Sequence, residues 1–437
     1  VQTTGQNTTE SINLGTYGEE VLSYSDRIFL TGGLRYDANS AFGQSFSGVY
    51  YPKIGLSWLL SDESFFPKIN AINSLRLRGT YGASGVQPGS TAALRYYTPF
   101  GSNVAGVEQS SVSLGALGNP NLKPEYSGEF ETGFDMTAFS GKSSFEFTYY
   151  NKHTKDALIA APTSPSLGGA ISTQYQNLGG IRNNGVEVTY NQKLIDNTNV
   201  GAEVQITGSV NRNQILTLGA GIQPIFTGNR STQRNAPGYP LYGLWGKNIA
   251  YNDANGDGIL GINEVSIADT ATFRGSTFPE NELAVNPRLE LFHRNLAIAA
   301  QFDHKDGMTK FFNTERHRCQ NGLSCQAQFD ATSPLKAQAA AVATKNYVDY
   351  TGHFYNGQFT RLREVSVSYQ LPDRFAARLH TSRASLTAAG RNLHVWTAYP
   401  GVDPEASQNT LSDSRGNEEY FSTPPLRYFT LRLNLNF

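Results

Sequence analysis

Residues 427–437 read RYFTLRLNLNF. Phe429, Leu431, Leu433, Leu435 and Phe437 alternate with Tyr428, Thr430, Arg432, Asn434 and Asn436. A period of two places the first set on one face of a β-strand and the second set on the other. The same alternation recurs upstream. Val365, Val367, Tyr369 and Leu371 alternate with Ser366, Ser368 and Gln370, and Phe145, Phe147 and Tyr149 with Ser144, Glu146 and Thr148. Val186, Val188 and Tyr190 alternate with Glu187, Thr189 and Asn191. The chain is therefore expected to be all-β. In a water-soluble sandwich the apolar faces look inward at each other. In a transmembrane barrel they look outward at lipid, and the polar faces line a wet lumen. The local pattern is the same in both.

Connection lengths separate the two. About thirteen spanning strands are predicted, over 12–24, 27–36, 51–60, 74–84, 128–139, 143–152, 182–193, 200–211, 286–293, 296–303, 359–371, 383–396 and 427–437. Their connections alternate short and long, so one rim carries turns and the other large loops. That is the layout of an up-and-down outer-membrane barrel. A sandwich has no reason to sort loops by rim. Parity adds a further expectation. A barrel that begins and ends on the turn rim has an even strand count, so an odd count predicts at least one missing strand. An open edge in hydrocarbon costs several kcal/mol for each unpaired backbone group.

Composition narrows the class. Of 437 residues, 39% are hydrophobic and 16% charged, against about 45–50% and about 25% in an average soluble domain. The net charge of −1 gives no electrostatic footprint for nucleic acid, which is not an expected partner. No run of about 18 apolar residues predicts a membrane-spanning helix. Two cysteines exclude a disulfide scaffold or a Cys-rich metal protein. The chain starts at Val1. Either a leader has been removed or this is the C-terminal part of a longer protein.

Several segments carry a family resemblance. Residues 26–42 read DRIFLTGGLRYDANSAF, 51–66 YPKIGLSWLLSDESFF and 75–85 LRLRGTYGASG. Residues 119–125 read NPNLKPE, 181–188 IRNNGVEV and 359–372 FTRLREVSVSYQLP. Residues 388–405 read AAGRNLHVWTAYPGVDPE, and the chain ends PPLRYFTLRLNLNF. Taken in order, they resemble the TonB-dependent outer-membrane transporters, in particular the SusC-like branch. The resemblance implies a barrel of the 22-strand type with long extracellular loops, of which residues 1–437 supply about the last thirteen strands. The plug domain, the TonB box and the early strands are then expected to lie outside this chain. It also implies uptake of oligosaccharide or peptide across the bacterial outer membrane, energy from the TonB complex, and a SusD-like lipoprotein partner. Terminal Phe437 resembles the signal read by the barrel-assembly machinery. The alternative reading is a non-transporting binding or structural module, either a barrel remnant or a soluble all-β adhesin-like protein.

Two candidate sites stand out. Asp253, Asn255, Asp257 and Glu264 occupy positions 1, 3, 5 and 12 of a calcium-type loop. The Ile259 carbonyl falls at position 7 and Gly258 at position 6, as such a loop requires. The alternative is a polar turn without an ion. No flanking helices are evident, so a structural calcium is expected to stiffen a surface loop. Cys319 and Cys325 lie close in a long loop, where an oxidising exterior favours a disulfide over two thiols. No catalytic constellation is present: there is no GxSxG or HExxH, and SGKS at 140–143 lacks the upstream glycine of a P-loop. The chain is not expected to be an enzyme. Residues 336–345 predict a short Ala-rich helix. Loop aromatics, Tyr96, Tyr97, Phe100, Tyr239, Tyr242, Trp245, Phe354, Tyr355, Trp396 and Tyr399, read either as a sugar or peptide surface or as girdle and loop packing.

Overall fold

The computed structural model describes residues 8, 10–42, 48–89, 91–163, 173–219, 221–226, 232–321, 324–347, 351–378, 380–407 and 418–437. Alternating strand segments pair into one thirteen-stranded sheet. Its strands are β1 (Asn13–Tyr24), β2 (Ile28–Asn39), β3 (Val49–Leu59), β4 (Ile72–Val86), β5 (Glu125–Ala138), β6 (Ser143–Lys155) and β7 (Gly180–Asp196). β8 (Gly201–Thr217), β9 (Asn281–Leu291), β10 (Leu296–Asp306), β11 (Phe359–Gln370), β12 (Arg383–Thr397) and β13 (Tyr428–Asn436) follow. Each pairs antiparallel with the next in chain order. The expected strands are all present, most of them extended by a few residues towards the loops.

Register carries the two faces across the wall. Leu433 lies opposite Leu386, Leu386 opposite Tyr369, Tyr369 opposite Leu296 and Leu296 opposite Leu291. Further along, Leu77 lies opposite Phe134, Phe134 opposite Phe147 and Phe147 opposite Val188. The adjacent rows are polar. Arg432 faces Thr387, which faces Ser368. The hydroxyls of Ser368 and Thr387 are 2.8 Å apart. Ion pairs bridge strands on this face: Arg78–Asp135 at 3.1 Å, Lys152–Glu129 at 3.5 Å and Lys305–Glu282 at 3.2 Å. A one-residue slip would exchange the faces, so every pair of neighbours is locked to the same choice.

Among the described residues no second sheet covers the apolar face. Leu431 is 73% and Leu433 52% exposed to solvent. The buried apolar clusters lie elsewhere, at the loop end of β8 and in the loops: Ile215, Leu218 and Ile225; Leu260, Val265, Ala339 and Val342; Cys319, Cys325 and Ala341. A sandwich would place its core between sheets. The wall instead presents a continuous apolar face suited to lipid, with charge on the other side. Among the described residues no helix is long and apolar enough to cross a membrane.

The rims are sorted. Residues 25–27, 60–71, 139–142, 197–200, 292–295 and 371–382 connect strands at one rim, and 40–48, 87–124, 156–179, 218–280, 307–358 and 398–427 at the other. Ser25 and Asp26 are both left-handed, with φ 52° and 53°, the paired positive φ of a tight hairpin turn. α3 (Asp373–Arg378) lies on this turn rim. The long loops hold their own small sheets, together with α1 (Asn313–Asn321) and α2 (Leu335–Tyr347). α2 covers the expected Ala-rich helix. The strand order begins at β1 and ends at β13. Both run from the loop rim to the turn rim, so they cannot serve as antiparallel neighbours to each other.

Replacing Val188 by Arg, on the apolar face near mid-strand, should destabilise the assembled wall by about 2–4 kcal/mol. Arg at Thr189, one residue on and facing the polar side, should cost far less. Urea unfolding of the receptor from lipid vesicles measures both, and equal costs would reject the assignment of faces.

Candidate functional site at the loop rim

The loops meet at the top of β10, β11 and β12. Here the RLRE run of β11 breaks the alternation. Leu362 pairs with Phe302 while Glu364 pairs with Gln301, which leaves Arg363 as the extra residue of a β-bulge. The ladder to β12 is also irregular at this point, where Leu362 pairs with His394 and Glu364 with Arg391. A bulge re-aims side chains. It puts Arg361, Arg363 and Glu364 all on the polar side, where alternation continued unbroken from Val365, Val367 and Tyr369 would send Arg361 and Arg363 to lipid. Glu364 then pairs with Arg391.

Arg361 and Arg363 hold the 398–407 loop. Arg361 Nη2 donates to both oxygens of Asp403 at 2.7 Å, and its Nε lies 3.0 Å from Glu405. Arg363 donates to Asp303 at 2.6 and 2.7 Å and to Glu405 at 2.5 Å. The Arg361 and Asp403 side chains are only 3% and 5% exposed. The FTRLREVSVSYQLP and GVDPE segments, read separately in the sequence, are thus two halves of one charged lattice. Arg363 and Asp303, with Nε and Nη2 each donating to one carboxylate oxygen, have the bidentate geometry in which a guanidinium best holds a carboxylate.

Lys310 lies beside this lattice and is fully buried. Its ammonium donates to the Ala406 carbonyl at 2.8 Å. Burial lowers its pKa to about 8, against the pull of Glu419, Asp403 and Glu405. Burial also raises the carboxyl of Glu419, opposed by the Thr314 hydroxyl, which donates to it at 2.9 Å. The Glu418–Glu419 strand pairs parallel with Thr309–Phe312, which ties the 398–427 and 307–358 loops together.

The calcium-type loop is tightly wound. Asp253 accepts from the amides of Gly256 and Gly258 at 2.9 and 3.0 Å. Asn255 accepts from Asp257 N at 3.1 Å, and Asp257 from Ile259 N at 2.8 Å. Glu264 accepts from Gly261 and Ala254 at 2.8 and 2.9 Å. Those amides hold the Glu264 carboxyl below its usual value. Gly256 and Gly258 take φ of 72° and 79°, which favours glycine at both positions. The loop does not stand free. Leu260 N donates to Gln338 Oε1 and Gln338 Nε2 to the Gly258 carbonyl, both at 2.9 Å. Leu260 packs with Ala339 and Val342 of α2.

Cys319 and Cys325 form a disulfide, with Cα atoms 4.7 Å apart. Among the described residues, the one gathering of three His, Cys, Asp or Glu ligand atoms within 4.8 Å is Glu315, Cys319 and Cys325. Its sulfurs are bonded to each other, so no thiolate is available for a metal. The Asp253, Asp257 and Glu264 carboxylates do not make such a group; each is turned to backbone amides. Phe437 follows β13 and is exposed.

Most of the loop aromatics pack against one another. Tyr239, Trp245 and Phe273 form one group, with ring centroids 4.7–5.8 Å apart. Phe312, Tyr355 and Tyr399 form another. Tyr96, Tyr97 and Phe100 are exposed on the hairpin of Tyr96–Val104 and Val107–Ala116. Between the 218–280 and 307–358 loops lies a cavity of about 520 Å³. Sequence reading missed it, because its walls come from segments far apart in the chain.

Replacing Arg361 by Leu leaves Asp403 buried and unpaired, and should loosen the 398–407 loop by about 3–5 kcal/mol. Replacing Arg391 by Leu breaks a more exposed pair and should cost under about 1 kcal/mol. Hydrogen exchange of the Glu405 amide, which donates to Asp403 at 2.8 Å, reads the difference.

The chain is similar to known proteins along almost its whole length. It is 27% identical to TonB-dependent receptor P3 of Formosa agariphila, over 99% of this chain and 46% of that protein. It is 22% identical to TonB-dependent receptor SusC of Bacteroides thetaiotaomicron, over 88% of this chain and 40% of that one. A chain in the structure of the RagAB peptide transporter superposes with a TM-score of 0.82 at 21% identity, covering 98% of this chain and 48% of that chain. The chain thus spans about half the length of the relatives it matches. The model of the TonB dependent receptor-like β-barrel family matches residues 2–393. With its lipid-suited wall and sorted rims, the chain belongs to that family of bacterial outer-membrane proteins.

Proposed function

We propose that the chain is part of an outer-membrane importer that takes up oligosaccharide or peptide in a TonB-dependent manner. The observation that carries this is the loop rim. Its long loops are cross-braced by the Arg361–Asp403 and Arg363–Asp303–Glu405 lattice into a fixed surface above a polar-lined wall. Loops of such length, held this firmly, suit capture of a ligand. A SusD-like lipoprotein covers this rim in the reading, and the TonB complex acts through a plug encoded outside residues 1–437. Further strands pair with the outer edges of β1 and β13. In cells, deleting the whole receptor should remove uptake of one labelled oligosaccharide or peptide. Removing TonB should stop uptake and leave surface binding intact. Uptake that continues at full rate without TonB overturns the reading.

We propose further that Asp253, Asn255, Asp257, Glu264 and the Ile259 carbonyl hold a structural calcium. The all-oxygen donor set suits that ion, with Glu264 binding through both oxygens. Because Leu260 and Gly258 are tied to Gln338, the ion would brace α2 as well as its own loop. Calorimetry on the receptor should show calcium binding at or below millimolar concentration, lost in Asp257→Ala. Protease sensitivity should then rise in 251–265 with the wall unaffected. No heat at millimolar calcium leaves a plain turn.

Phe437 is proposed as a contact for the barrel-assembly machinery, and its deletion should lower the amount of assembled barrel at unchanged synthesis. Normal assembly would count against that role.

A further inference from the structure

The outward face of β5–β8 changes character towards the loop rim. Near mid-strand its rows are apolar: Phe134, Phe147 and Val188 lie side by side, and Tyr149 lies beside Val186 in the next row. One row higher, Asn151 faces Asn184, which faces Arg212. Above that, His153 faces Arg182, which faces Gln214. Lys155 ends the series. The face thus passes from apolar side chains through carboxamides to cations. At the turn end of the same strands the row of Ala138, Ser143, Gln192 and Val204 holds no cation. The loop-rim pairs Tyr36–Tyr50 and Thr360–Trp396 hold none either.

The cations here lack counter-charges. Among the described residues, neither Lys155 nor Arg182 is in an ion pair; those of these strands belong to Lys152, Lys193 and Arg212. Arg182 Nη2 donates to a neutral acceptor, Gln214 Oε1, at 2.8 Å, and its Nε is buried without a partner. Asn151 Oδ1 is also without one. Lys155 lies over the Tyr126 ring, its Nζ 4.8 Å from the centroid. Glu280 and Asp306, at the adjoining ends of β9 and β10, are engaged by Arg212 and by Asn281 and His304. The loop segments that leave β6 and β8, residues 157–179 and 218–252, contain no Asp or Glu.

An unpaired cation within hydrocarbon is expensive, so these rows lie at headgroup level. The long loops of such a barrel are extracellular, which assigns that level to the outer leaflet. A guanidinium and an ammonium side by side suit a phosphate. The carboxamides beneath them suit hydroxyl and amide groups, and the exposed rings of Phe130 and Tyr149 suit acyl chains.

We infer that the loop-rim end of β5–β8 binds a phosphorylated glycolipid of the outer leaflet. Lys155 and Arg182 hold its phosphate, and Asn151 and Asn184 meet its sugar. The inference rests on the lipid-facing wall and is independent of what the receptor imports.

The receptor, purified from outer membranes in detergent and stripped of lipid, is titrated by native mass spectrometry with monophosphoryl lipid A and with its dephosphorylated form. The phosphorylated lipid should bind at least about tenfold more tightly, as two headgroup-level cations require. Lys155→Gln with Arg182→Gln should abolish that preference. Lys155→Gln alone, at an exposed position, should weaken the phosphorylated lipid about fivefold. Lys152→Gln, three residues away and on the polar side, should leave it unchanged. Phosphatidylglycerol and inorganic phosphate should displace it only at far higher concentration. Equal binding of the two lipids overturns the inference, as does an unaltered preference in Lys155→Gln or an equal loss in Lys152→Gln. Displacement by equimolar phosphatidylglycerol or phosphate overturns it too, and so does a lipid-free receptor dimer that covers this face. Failure of TonB-dependent uptake in cells would leave these measurements untouched.

Discussion

Every backbone N–H and C=O that enters hydrocarbon must find a partner within the protein. The wall is built around that demand. Strand follows strand in chain order, and each inner strand is paired along both edges. Lipid then dictates which side chains go where. The rows through Leu433, Leu386, Tyr369 and Leu296 need no partner beyond contact. The rows through Arg78, Asp135, Lys305 and Glu282 find theirs across the strands. The outer edges of β1 and β13 are where the demand is not met by the wall itself, and their shared direction prevents them from meeting it together.

Above the wall the governing physics changes. The loops have room for buried charge, and they use it. A buried ion pair contributes little net stability, because desolvating both partners offsets most of the attraction. Losing one partner is costly all the same. Arg361, Asp403, Arg363, Asp303 and Glu405 therefore act as a position-fixing lattice. It determines where the 398–407 loop sits, and through Lys310 and the Ala406 carbonyl it reaches the 307–358 loop. The calcium-type loop adds a separate brace, from Leu260 and Gly258 to α2.

The β-bulge at Arg363 links the two regions. Below it, β11 obeys the strict alternation that lipid demands, with Val365, Val367 and Tyr369 on one face. At it, three charged residues turn to the same side. One inserted residue converts membrane wall into loop anchor without breaking the sheet. The sequence carries a sign of this, since adjacent Arg363 and Glu364 violate the alternation that holds on either side. Nothing local says which acids they meet.

The number of strands, the apolar and polar faces, the sorting of turns and loops to opposite rims, and the Ala-rich helix of α2 were all legible in the residue order. A period of two and a run of turn residues are local properties, and a wall in which each strand pairs with its chain neighbour needs little else. The family was legible for the same reason, because its segments lie in order along that wall. The tertiary structure alone decided how the loops meet. Arg361 finds Asp403 across 42 residues, and Leu260 finds Gln338 across 78. Such pairs depend on where folded loops come to rest in space. No spacing in the chain encodes the cavity between the 218–280 and 307–358 loops, because its lining joins the paired strands of Lys247 and Arg274 to Met308, Lys336 and Phe354, segments that only packing brings together.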